Sequence, residues 1–180
     1  MLEQRIQQQF FESADLRSQM AEALSKPIAD AAQALLGCIT AGGKVMFCGV
    51  GPVAPLAQHG AALMVGRFER DRPGLAALAV AGEAETLALG MPGDVLVALC
   101  GDASASVLPA MVQAAQRKDM TVVALTGRDG GALLPHLGET DVHIAVPHDR
   151  AARIHEAHVL VLHCLCDALD LQLLGEQETS

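Results

Sequence analysis

The stretch Lys44 to Phe68, KVMFCGVGPVAPLAQHGAALMVGRF, restricts the fold more than any other part of the chain. A mostly apolar run of five residues leads into Gly49 and Gly51, then Pro52, and the apolar spacing beyond turns helical. That order predicts a strand, a tight turn and a helix. In an α/β chain such a turn aims the free N–H groups of the helix start at whatever sits above the sheet, a position that phosphates favour. The glycines form only a G-x-G, with neither the later glycine and acid of a dinucleotide site nor the Lys-Ser/Thr pair of a Walker loop. Two readings therefore stay open, a ligand loop or a sharp turn after a buried strand.

Around this unit the chain alternates. LAALAV (75–80), DVLVAL (94–99), TVVALT (121–126) and VHIAV (142–146) are short apolar runs of the kind that parallel sheets bury. Helical segments are expected over 105–118, despite Pro109, briefly after Gly127–Gly131, and over 151–174; residues 83–89 have room for about one turn. Ahead of the first strand, Leu2, Ile6, Phe10, Ala14, Met20 and Leu24 follow a helical period. Ser25 then reads as an N-cap with Pro27 in the first turn of a second helix. The expectation is one α/β domain over 1–180, three-layered with a mostly parallel five-stranded sheet. It comprises an N-terminal helical hairpin (1–41) and a core (44–180) ending in a long helix. Ala157 to Leu169 is apolar on nearly every side, which predicts burial at a subunit interface.

With 51% hydrophobic residues but no Trp or Tyr and four Phe, the core must be aliphatic. A net charge of −9 argues against direct nucleic-acid binding, since a phosphate backbone needs a basic surface, and suits a basic protein partner. The N-terminus shows no apolar signal region, and no window holds about 18 uninterrupted apolar residues, so a cytoplasmic location without a membrane span is expected. Five cysteines without framework spacing read as buried reduced thiols, and Cys164 and Cys166 face different ways on a helix.

The segments AQHGAALMVGRFERDRPGL (57–75), PGDVLVAL (92–99), DMTVVALTGRDGG (119–131) and ARIHEAHVLVLHCLCDALD (152–170) resemble the sugar isomerase (SIS) fold. Within it they resemble the phosphoheptose isomerase group and its non-enzymatic relative DiaA, which binds the replication initiator DnaA. The resemblance implies a homotetramer and a sugar phosphate held by two loops after the first and third strands. In the first loop Gly49 and Gly51 match, but Val53 stands where the family has a serine. In the second, a run of hydroxyls is replaced by Cys100, Gly101, Asp102, Ala103, Ser104 and Ala105, with Ser106 following. A carboxylate about 4 Å from a phosphate is repelled by roughly 1 to 4 kcal/mol per charge pair.

Aldose–ketose isomerisation through an enediol needs a group that moves a proton between adjacent carbons and an acid that steadies the oxygens. The family takes these, and a zinc site, from a His and a Glu four apart in the central helix and a Gln and a His eight apart in the last. The matching positions here are His59, Leu63, His155 and His163. Leu63 accepts no proton. His163 remains the candidate catalytic group, and His59, His155 and His163 together are a candidate three-imidazole zinc site. His158, three residues after His155, is a further member of either arrangement, whereas His136, His143 and His148 read as surface histidines. The family's segment between the second and third strands is shortened here to residues 80–92, where Glu83 and Glu85 are the only acids that could replace the missing base. The degenerate motifs favour a DiaA-like oligomeric binding protein without catalysis, with Leu173 and Leu174 matching an apolar pair that DiaA turns toward its partner. Its alternatives are a phosphoheptose isomerase acting on sedoheptulose 7-phosphate and a non-catalytic sugar-phosphate sensor.

Overall fold

Short apolar strands joined by helical crossovers return each strand to the same end of the sheet, so pairing has to be parallel. The computed structural model describes residues 1–101 and 106–176. Its strands β1 (Val45–Gly49), β2 (Ala77–Val80), β3 (Val95–Leu99), β4 (Thr121–Thr126) and β5 (Val142–Ala145) form one parallel sheet in the order β2-β1-β3-β4-β5. The helices are α1 (Leu2–Thr40), α2 (Ala54–Val65), α3 (Glu83–Leu89), α4 (Leu108–Arg117) and α5 (Ala151–Leu174).

Alternation along the strands divides the core. Val45, Phe47, Val95, Val97, Leu99, Val123, Leu125 and Ile144 face α1, α2 and α5. Met46, Cys48, Leu96, Ala98, Val122 and Ala124 face the other way, against Leu108, Met111, Val112 and Ala115 of α4. This is the expected three-layer α/β fold.

Three expectations are corrected. The N-terminal hairpin is instead a single helix of 39 residues with Pro27 inside it. Ser25 does not cap a second helix; its hydroxyl donates back to the carbonyl of Ala21. An internal proline costs a helix about 3 kcal/mol, and the packing that offsets it is continuous across the site. Leu16, Met20 and Leu24 before Pro27, and Ala31, Ala32, Leu35 and Cys38 after it, are all buried. Four of the five cysteines are buried as expected, but Cys164 is exposed. The helix expected after Gly127–Gly131 is only a 3-10 turn, Leu134–His136.

By length and composition α5 is apolar enough to cross a membrane. In the fold it is a core helix, burying Ile154, Ala157, Val161, Leu162, Leu165 and Leu169 while Leu160 and Cys164 face out.

Candidate functional site

After β1 the chain moves outward to β2, then crosses back to place β3 on the other side of β1. The loops leaving β1 and β3 thus part company, and such a switch point opens a crevice at the C-terminal ends of the strands. The first loop is a 3-10 turn, Gly51–Val53. Gly51 takes a left-handed φ of +59°, and a Cβ on Gly49 would lie 2.9 Å from the Val53 carbonyl oxygen, so the turn needs glycine at both positions.

Val53 is buried and fills the place where a hydroxyl was looked for. On the opposite side of the crevice, a Cβ on Gly101 would meet Val53 Cγ1 at 2.7 Å and His155 Nε2 at 2.5 Å. The bare Gly101 backbone lets the entry of α2 and the side chain of His155 close against the end of β3. Asp102 and Ser104 lie outside the described residues, and Ser106 is exposed in the turn before α4.

Further along α2, His59 meets His163 of α5, with Nε2 to Nε2 at 3.2 Å. The rings meet edge-on, their centroids 5.5 Å apart, and Phe68 lies against His163 at a centroid distance of 5.2 Å. The separation is within hydrogen-bonding range, with donor and acceptor set by the tautomers of the two rings. Leu63, one helical turn after His59, is half-buried and packs on the core. Glu83 is paired with Arg117 at 2.5 Å, and Glu85 accepts from the Ala81 N–H at 2.6 Å. Both acids are thus engaged locally.

The helix ends carrying this pair are tied together by charge. Arg72 Nε donates to Asp170 Oδ1 at 2.5 Å, and its other nitrogens donate to the carbonyls of Leu63 (3.0 Å) and Met64 (2.9 Å) at the end of α2. The two side chains are 1% and 3% exposed. A second buried network runs behind the crevice. His158 Nε2 faces the Thr126 carbonyl at 3.4 Å, and the Thr126 hydroxyl donates to the Gly127 carbonyl and meets His143 Nε2 at 2.8 Å. Burial pushes the His158 imidazole down to about 4, and burial also lowers His143. His143 is therefore not the surface histidine the sequence suggested. Next to this network a cavity of about 200 Å³ is bordered by Gly101, Gly127, Arg128, His148, Asp149 and Ile154. Its rim is held to α1 by Glu12, which pairs with Arg150 and lies 3.3 Å from His148.

Zinc takes four donors in structural sites and three protein donors plus water in catalytic ones. His59 and His163 supply two. His155 stands at Gly101, Leu63 occupies the carboxylate position, and among the described residues no three His, Cys, Asp or Glu side chains are grouped to hold a metal. The three-imidazole zinc site is not assembled, and the donor set does not fit a zinc centre. Sequence reasoning also passed over the Arg72–Asp170 clamp and the Thr126 network. An arginine just after a helix whose carbonyls need partners was the available signal for the first.

A profile of the SIS domain matches residues 9–91. A phosphoheptose isomerase of Methylibium petroleiphilum is 58% identical over 196 aligned positions, covering 99% of this chain and 98% of the relative. The chain belongs to the phosphoheptose isomerase family of SIS-domain proteins. A phosphoheptose isomerase of Thiobacillus denitrificans is 44% identical over 98% of the chain and 99% of its own length. The structure of phosphoheptose isomerase from Neisseria gonorrhoeae superposes with a TM-score of 0.86 at 36% identity, covering 94% of this chain and 99% of that one. Since the Methylibium alignment spans 196 positions and the chain has 180 residues, at least sixteen positions have no residue here.

Proposed function

We propose that this chain is a phosphoheptose isomerase acting on sedoheptulose 7-phosphate or a close ketose phosphate. The observation that carries the reading is 58% identity to a phosphoheptose isomerase along nearly the whole chain. The expectation of lost catalysis rested on Val53, Leu63 and Asp102, and the relatives weigh against it. The chain offers the glycine turn Gly49–Gly51 for the phosphate, since Pro55 has no N–H and the Ala54 N–H is bonded to the Gly51 carbonyl, and the His59–His163 pair of α2 and α5 for the proton. An imidazole takes the proton from C1 as the C1=C2 bond of the enediol forms and O2 is protonated. Loss of the O1 proton then makes the C1 carbonyl while C2 receives its proton, so none is gained or lost overall. Purified protein should convert sedoheptulose 7-phosphate, and His163→Ala should lower turnover at least about a hundredfold. A variant as active as the native chain refutes this assignment.

A second reading is favoured by Leu63, which stands in place of a carboxylate one helical turn after His59, and by three exposed leucines. These are Leu171, Leu173 and Leu174, 41%, 37% and 39% exposed at the end of α5. In it a homotetramer without turnover presents these leucines to a DnaA-like protein, and multivalency supplies avidity. Leu173→Ala/Leu174→Ala should then abolish capture of purified DnaA with the oligomer size unchanged. Equal capture removes the leucines from the reading.

A further inference from the structure

We infer that His59 and His163 form a metal-independent imidazole dyad, joined by one Nε2–H···Nε2 hydrogen bond, and that this dyad is the proton-carrying group of the site. The second half of the inference rests on the isomerase reading, and the first half does not.

The separation of 3.2 Å between the two Nε2 atoms fits an N–H···N hydrogen bond. It is also close to the edge of a zinc tetrahedron with two imidazole corners, so the remaining donors must decide. A carboxylate one turn after His59 would provide the third corner, but Leu63 is there, with its side chain packed on the core. The position eight residues before His163 belongs to His155, whose Nε2 lies 2.5 Å from where a Cβ on Gly101 would sit, and among the described residues no third His, Cys, Asp or Glu joins the pair. Among the described residues that leaves two protein ligands, short of the three that hold catalytic zinc.

The environment suits the hydrogen-bonded pair instead. Both imidazoles are half-buried, and Phe68 shields His163 on one side. The Arg72–Asp170 clamp fixes the C-terminal end of α2 against α5, the two helices that carry the rings. One ring is the Nε2–H tautomer and the other has a bare Nε2 and so carries its proton on Nδ1. With the bare Nε2 occupied by the hydrogen bond, the proton from C1 is taken at the free Nδ1 of the Nε2–H ring and returned from there at C2.

The test has three readouts on the full-length protein. After equilibration with zinc and dialysis, the native chain should retain well under one zinc per protomer by elemental analysis, while Leu63→Glu should retain about one. One tightly held zinc per native protomer overturns the inference. Should Leu63→Glu fail to fold by circular dichroism, nitrogen-15 imidazole spectra of the native protein still decide. One protonated and one bare Nε2 support the dyad, and two bare Nε2 atoms refute it. For turnover, chelator treatment should leave the native rate within about twofold, while His59→Ala and His163→Ala each lose about a hundredfold. Loss of turnover on chelation overturns the inference. A metal-free pair with the mixed tautomers but no turnover at all sinks the isomerase reading and the proton-carrying role, and leaves the dyad standing.

Discussion

Replacing Asp170 by Ala should be among the most destabilising single changes in this chain. Arg72 and Asp170 are 1% and 3% exposed and meet at 2.5 Å. A salt bridge in that setting gains little over a well-packed apolar pair, because both charges have been taken out of water. Removing one partner differs, since the guanidinium stays buried with, among the described residues, only the carbonyls of Leu63, Met64, Gly66 and Pro73 to receive it. The expected loss is about 3 to 5 kcal/mol, against a total stability of about 5 to 15 kcal/mol for a typical domain. At about 2 to 4 °C per kcal/mol for a chain of this size, Tm should drop by roughly 6 to 20 °C. Urea unfolding followed by circular dichroism measures it, with the double variant Arg72→Met/Asp170→Leu as the companion. The double variant should recover most of the loss, since no lone charge remains. A cost below about 1 kcal/mol for Asp170→Ala would show that water reaches the guanidinium and would refute the account of a dry clamp.

Two further outcomes follow from the buried residues of the site. His158 has a folded pKa near 4, below its ordinary 6.5. The unfolded chain therefore takes up a proton that the fold refuses, and stability should fall as pH drops from about 6.5 to 4, by about 3 kcal/mol in all, with no contribution from this group above 6.5. Unfolding free energies across that range should lose this slope in His158→Gln; an unchanged slope assigns the effect elsewhere. Gly101→Ala places a Cβ 2.5 Å from His155 Nε2 and 2.7 Å from buried Val53, and should cost about 1 to 3 kcal/mol by overpacking. His155→Ala in the same chain should return part of it, and a neutral Gly101→Ala would mean the crevice is wider than described.

The sheet was legible because its signal is local. β1, β3 and β4 are apolar runs bounded by glycine, proline or polar turns, and the five-strand parallel order follows once the crossovers are helical. The N-terminal rod was not legible, since Ser25 and Pro27 are local helix-start signals. What overrides them is burial on both sides of the proline, by residues far along the chain. At the site, the pairing of His59 with His163 was readable from the resemblance. The departure of His155 toward Gly101 was not, because it depends on a cavity left by an absent side chain across the crevice. Arg72 and Asp170 are 98 residues apart, and nothing at either position announces the other.

The ring of Phe68 against His163 also has an optical consequence. A chain with no Trp and no Tyr is almost dark at 280 nm and emits next to nothing when excited there. Phe68→Trp would therefore install a lone fluorophore in van der Waals reach of the His163 imidazole. Every photon would report on that one contact, so a change in its protonation or the arrival of a ligand would be seen without background from the other 179 residues.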